Sequence, residues 1–231
     1  MADWFSYSLT DFLLFAPETY QRLFVRYNQA VWPAQIVGAL GALVVLWLVL
    51  RRVDSRIAIG VVHALPAIGW LWIGTDFLYQ RYGVINWAAT WPAVGFMAQG
   101  VLLLAVAAIA PRPARHAPPA ARTIGLGLMA AALVVVPLSG PLAGRPWGAI
   151  EIVGVTPDPT AVFTLGLLAG TAGIWRLILL PVPVLWCLFS GATALAMDTG
   201  DAWLLPVLAA AGLVAALLPR PAPDGRGRRS G

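Results

Sequence analysis

Between Thr160 and Met197 the chain runs for 38 residues with a single charged side chain, Arg176. A membrane-crossing helix takes about 20 mainly apolar residues, so this run is too long for one and about right for two. Shorter runs of the same kind fill most of the remaining sequence. They extend over about Val31 to Leu50, Ile57 to Tyr79, Trp87 to Ala110, Thr123 to Ala143 and Ala202 to Leu218. Seven apolar spans result. Only 11% of the residues are charged, against about 25% in a typical soluble domain, which is too few to cover a soluble surface. A mean hydropathy of +0.80 likewise excludes a disordered or collagen-like chain. The expected class is an all-α polytopic membrane bundle of about seven helices.

The arginines set an expected direction. All 15 basic residues are arginine. With seven spans, Arg51, Arg52, Arg56, Arg112, Arg115, Arg122, Arg176, Arg220, Arg226, Arg228 and Arg229 fall on one side of the bundle. Arg22, Arg26, Arg81 and Arg145 fall on the other. Positive residues favour the cytoplasmic side, so the N-terminus is expected outside and the C-terminus in the cytoplasm. Trp32, Trp87, Trp91, Trp147 and Trp203 cluster at the expected outer interface, as an aromatic belt does. Pro33, Pro92, Pro159 and Pro206 open the spans that run inward, where a missing N–H is tolerated. Asp158 reads as the N-cap ahead of Pro159, and Asp201 as the cap of the last span.

Three regions follow from this pattern. Residues 1–30 form an interfacial segment, 31–218 the transmembrane bundle, and 219–231 a disordered basic cytoplasmic tail rich in Pro, Gly and Arg. No cleavable signal peptide is expected, because Met1 to Tyr7 carries Asp3 and no basic residue. From Pro17 onward Tyr20, Leu23, Phe24, Tyr27 and Val31 share one helical face, while Glu18, Arg22 and Arg26 share the other. Such a helix would lie on the outer surface. Pro111 to Ala121 is a proline-rich cytoplasmic loop.

Candidate functional residues are the polar groups inside spans, which are expensive in a membrane and therefore rare. Asp76 lies near the outer end of the second span, close in sequence to Thr75, Tyr79, Arg81 and Asn86. With Asn86, Gln35 and Gln99 it would form a polar pocket open to the outer face. The competing reading ties Asp76 to Arg81 as a structural pair. His63 is a candidate proton relay, or else a neutral histidine bonded to a neighbouring helix. Gly38, Gly41, Gly125, Gly127, Gly166, Gly170 and Gly212 mark close helix contacts.

Several chemistries are excluded. Without lysine there is no retinal Schiff base. There is no phosphate-binding Gly-Lys-Ser/Thr loop, no His-Glu-x-x-His and no haem attachment motif. The single Cys187 forms neither an internal disulfide nor a cysteine-rich metal site. The scattered arginines make no nucleic-acid stripe. No catalytic residue, metal or cofactor is therefore expected. The expected partners are the lipid bilayer, with a small solute or cation at the pocket, or a membrane-protein partner.

Four segments carry a resemblance. They are Asp11 to Tyr20, Tyr27 to Gln35, Ile85 to Ala89, and Gly154-Val155-Thr156-Pro157-Asp158-Pro159-Thr160. Together they resemble a family of uncharacterised bacterial multipass membrane proteins, catalogued as a domain of unknown function. The resemblance implies a bacterial inner-membrane helix bundle and supplies no activity. Two functions stay open. One is small-solute or cation binding and transport through a periplasm-facing pocket. The other is a non-catalytic structural or assembly subunit of a membrane complex.

Overall fold

Helix α1 spans Pro17–Ala30, and α2 spans Ala34–Leu50 at 87° to it. The structure, a computed structural model, is described over residues 16–53, 55–109, 117–171 and 173–219. Among these residues the regular structure is helical throughout. The remaining elements are α3 (Arg56–Ile85), α4 (Thr90–Ile109), α5 (Pro119–Leu133), α6 (Val135–Leu142), α7 (Pro157–Leu168), α8 (Trp175–Ala196) and α9 (Leu204–Leu217). Three segments are long and apolar enough to cross a membrane: Arg56–Ile85, Trp87–Ile109 and Trp175–Ala196. The number rises to five if each of the bent pairs α1–α2 and α5–α6 is one span.

Helix starts follow their sequence signals closely. Pro33 is the residue before α2, and Pro92, Pro159 and Pro206 each lie within the first three residues of a helix. Pro137 has a different effect from an ordinary mid-helix proline. It has no N–H to give the Leu133 carbonyl four residues back, and the chain breaks at Val134 into α5 and α6, bent by 45°. The apolar run starting at Thr160 remains helical only to Leu168. Gly173 then turns at φ +61°, and the next helix starts at Trp175. Helix α7 is therefore 12 residues, about 18 Å, and shorter than a bilayer core.

Every residue of α7 is buried. It packs against α3, α5, α8 and α9, so it forms the centre of the bundle. Against α5 the approach is backbone to backbone. A Cβ on Gly166 would stand 2.5 Å from the Gly125 carbonyl oxygen, so only glycine fits. At the other side of the core the loop at Gly154 threads between α2 and α3. A Cβ on Gly69 would stand 2.8 Å from Gly154 Cα, and one on Gly38 would stand 2.5 Å from the Val153 carbonyl oxygen. Gly41 and Gly127 have open space instead.

Helix α1 is separate from α2, and its apolar face is covered by protein. Phe24 and Tyr27 are buried against Phe77, and Tyr20 meets Phe24 edge-on and Tyr82 at a tilt. Its polar edge is anchored as well. The Asn28 amide donates to the carbonyls of Gly148 and Ile150, and the Tyr27 hydroxyl donates to that of Val155. The interfacial assignment of 1–30 is described only from residue 16. The basic tail, from residue 220, and most of the Pro111–Ala121 loop lie outside the described residues.

Candidate functional site

Threonines spaced four apart set the start of α7. Thr156, Thr160 and Thr164 each donate a hydroxyl to the carbonyl four residues earlier, at 3.2, 2.7 and 2.8 Å. Each oxygen also accepts a bond, from Ile152 N–H, Gly154 N–H and the Trp70 indole respectively. The loop, the helix and α3 are thereby locked together. Asp158 is the second residue of α7, and Thr156 rather than Asp158 is the N-cap. Its carboxylate points across to α8, where it accepts the Trp186 indole N–H at 2.8 Å and the Ser190 hydroxyl at 3.0 Å.

Two further carboxylates line the same small cavity of about 40 Å³. Arg145 reaches Glu151 at 3.5 Å and makes a close ion pair with Asp201. The Ser139 hydroxyl stands 3.0 Å from Asp201 Oδ2. Asp201 therefore does not cap α9 with its side chain, because its carboxylate is held by Arg145 and Ser139. Gly140 makes room for the arginine. A Cβ there would stand 2.6 Å from Arg145 Nε.

This arrangement is electrostatically uneven, with three carboxyl groups facing one guanidinium. Glu151 is buried, and its Oε2 has no hydrogen-bond partner; Arg145 Nε is likewise buried and unpartnered. Burial, reinforced by the charge of Asp158, pushes the Glu151 carboxyl well above the usual carboxylate range. Burial alone would lower the Arg145 guanidinium, but Glu151 and Asp201 outweigh it and keep the side chain charged. The chemical result is a buried carboxyl group whose protonated form is favoured by burial, beside an ion pair. The cavity has room for one to about three waters, at roughly 10–15 Å³ each. Among the described residues no three metal-binding side chains converge.

The four residues expected to share a pocket have separate partners. Asp76 is ion-paired with Arg81 at 3.0 Å. Asn86 Oδ1 accepts Ala88 N–H, and its side-chain amide donates to Tyr82 Oη. Gln35 donates to the Asn28 carbonyl, and Gln99 to the Leu179 carbonyl. None of the four lines the cavities described for this protein. His63 Nδ1 bonds the Ile59 carbonyl of its own helix at 2.9 Å, and the ring lines a different cavity. Sequence reasoning missed the Glu151 cluster because Arg145, Asp158 and Asp201 each had an adequate local explanation. The available signal was the concentration of polar residues between Gly144 and Thr160.

The molecule is thus an all-helical protein with helices long and apolar enough to cross a membrane, and with a titratable buried cluster at one end. The profile of a family of unknown function, DUF6064, matches residues 17–223, and the chain belongs to that family. No curated protein and no solved structure matches the chain.

Proposed function

We propose that this is a multipass inner-membrane protein that binds and releases a proton at the Glu151–Asp158–Asp201 cluster on its periplasmic side. One observation carries the reading: Glu151 is a buried carboxyl group with an unpartnered oxygen, in a water-sized cavity with three carboxyls to one arginine. Seven spans with the N-terminus outside remain the proposed topology, with α7 as a short central span. The arginine distribution supports it, and so does the exposure of the five expected belt tryptophans, 66–75% in each case. The cluster is too small for an organic solute, so any transported solute would bind elsewhere and be coupled to the proton.

The second reading, an assembly subunit, draws support from α2. Only Ala42 and Val45 of its 17 residues are buried, leaving an apolar face open for lipid or a partner helix.

Infrared spectroscopy of the full-length protein in detergent tests the proton-binding reading. The wild type should show the C=O stretch of a protonated carboxylic acid at neutral pH, and Glu151→Gln should remove it. A neutral-pH spectrum without that band, or a band that survives both Glu151→Gln and Asp158→Asn, overturns the reading.

A further inference from the structure

At the opposite end of α7 lies a larger cavity, of about 500 Å³, between α2, α3, α5 and the chain following α7. Its walls are mostly apolar, with Val62, Leu126 and Met129 among them. Arg52 of the α2–α3 turn and Arg122 of the first turn of α5 also line it, and among the described residues no carboxylate does. Among the described residues neither arginine is held in an ion pair. His63 lines the wall, buried, with Nε2 unpartnered. Its Nδ1 faces the Ile59 carbonyl, which only accepts, so Nδ1 carries the proton and Nε2 is left as an acceptor.

We propose that this cavity binds one anionic membrane lipid, its phosphate between Arg52 and Arg122 and an acyl chain against the apolar wall. The argument rests on the pairing of features. A water-soluble anion would bind the two guanidinium groups but leave the apolar walls uncovered. A neutral lipid would cover the walls but leave two cations without an anion, since no described residue of the lining is acidic. Only an amphiphile with a negative head answers both, and basic pockets between membrane helices are a common way of holding such headgroups. The unpartnered Nε2, an acceptor, can take one hydrogen bond from a hydroxyl of the lipid's head or from a water entering with it. The cavity also differs from the groove between α2 and α3 near Gly38 and Gly69, whose lining carries no charged residue.

The test uses the full chain in detergent, titrated with dioleoyl phosphatidylglycerol and followed by native mass spectrometry. Dioleoyl phosphatidylcholine and inorganic phosphate serve as separate arms. One phosphatidylglycerol should bind at least tenfold more tightly than phosphatidylcholine, and inorganic phosphate should not displace it. Arg122→Gln and Arg52→Gln should each weaken binding at least fivefold with an unchanged melting temperature. Leu126→Trp, which fills the apolar part and leaves both arginines, should weaken it too. Equal binding of the two lipids overturns the proposal. Displacement by inorganic phosphate overturns it in favour of a free-anion site. Binding indifferent to all three substitutions places any bound lipid elsewhere and overturns it as well. None of these readings involves Glu151 or Asp158, so this proposal and the proton-binding reading fail independently.

Discussion

Asp76 and Arg81 show how a residue's role depends on local backbone geometry. Five positions apart on an α-helix, two side chains stand about 140° apart around the axis and do not meet. Residues Ile73–Tyr82 of α3 are wound as a π-helix, whose i→i+5 bonding brings such a pair onto one face. The carboxylate and guanidinium then meet at 3.0 Å, and Asp76 becomes half of a tie. Glu151 shows the reverse case, a carboxyl group that neighbours and burial leave short of partners. Its folded-state titration lies above the unfolded one, so the folded protein holds more protons in the interval between them. The stabilisation is complete below the ordinary carboxylate range and is lost as pH rises through the raised folded value. The melting temperature of the wild type should therefore fall as pH rises across that interval. In Glu151→Gln, which has no proton to lose, the fall should be smaller. A variant with a wild-type pH slope would show that Glu151 does not titrate there.

Helix α7 is the element on which the fold depends most. It is short, entirely buried and pinned at its start by three threonine hydroxyls, so its position is set by neighbours on several sides. The contact between Gly125 and Gly166 is the tightest of these. Gly166→Ala would set a methyl group 2.5 Å from the Gly125 carbonyl oxygen and 2.7 Å from Met129 Cγ. We expect a loss of about 1–3 kcal/mol from overpacking, read as a lower melting temperature in detergent. Gly127→Ala on the same face-to-face pair of helices is the control. It meets nothing within 4 Å, and replacing a helical glycine should be neutral or gain up to about 1 kcal/mol. Equal destabilisation by both would show that the close approach at Gly166 does not decide the effect.

For the molecule as a whole, the two cavities lie at opposite ends of α7, one rich in carboxylates and the other in arginines. With the proposed orientation the carboxylates face the periplasm and the arginines the cytoplasm. Single cysteines in a Cys187→Ala background check this. Gly200→Cys, in an exposed turn at the carboxylate end, should react with an impermeant thiol reagent in intact cells. Val53→Cys, exposed at the arginine end, should react only after permeabilisation. The opposite pattern inverts the topology, and labelling of both from one side removes the bundle's transmembrane arrangement altogether.

The helical class, the starts of the helices at their prolines and the family resemblance were all legible in the sequence. Each depends on composition or on residues a few positions apart, and helical hydrogen bonding is itself local. The site was not legible, because its partners are remote. Arg145 meets Asp201 across 56 positions, Asp158 meets Ser190 across 32, and Trp70 meets Thr164 across 94. Which helices become neighbours is decided by where backbones can approach, at Gly125 with Gly166 and at Gly154 with Gly38 and Gly69. Sequence periodicity shows that Asp158 begins a helix. Only the packing of α7 against α8, and of the Arg145 loop against the start of α9, determines that its carboxylate is buried beside two others with a single arginine among them.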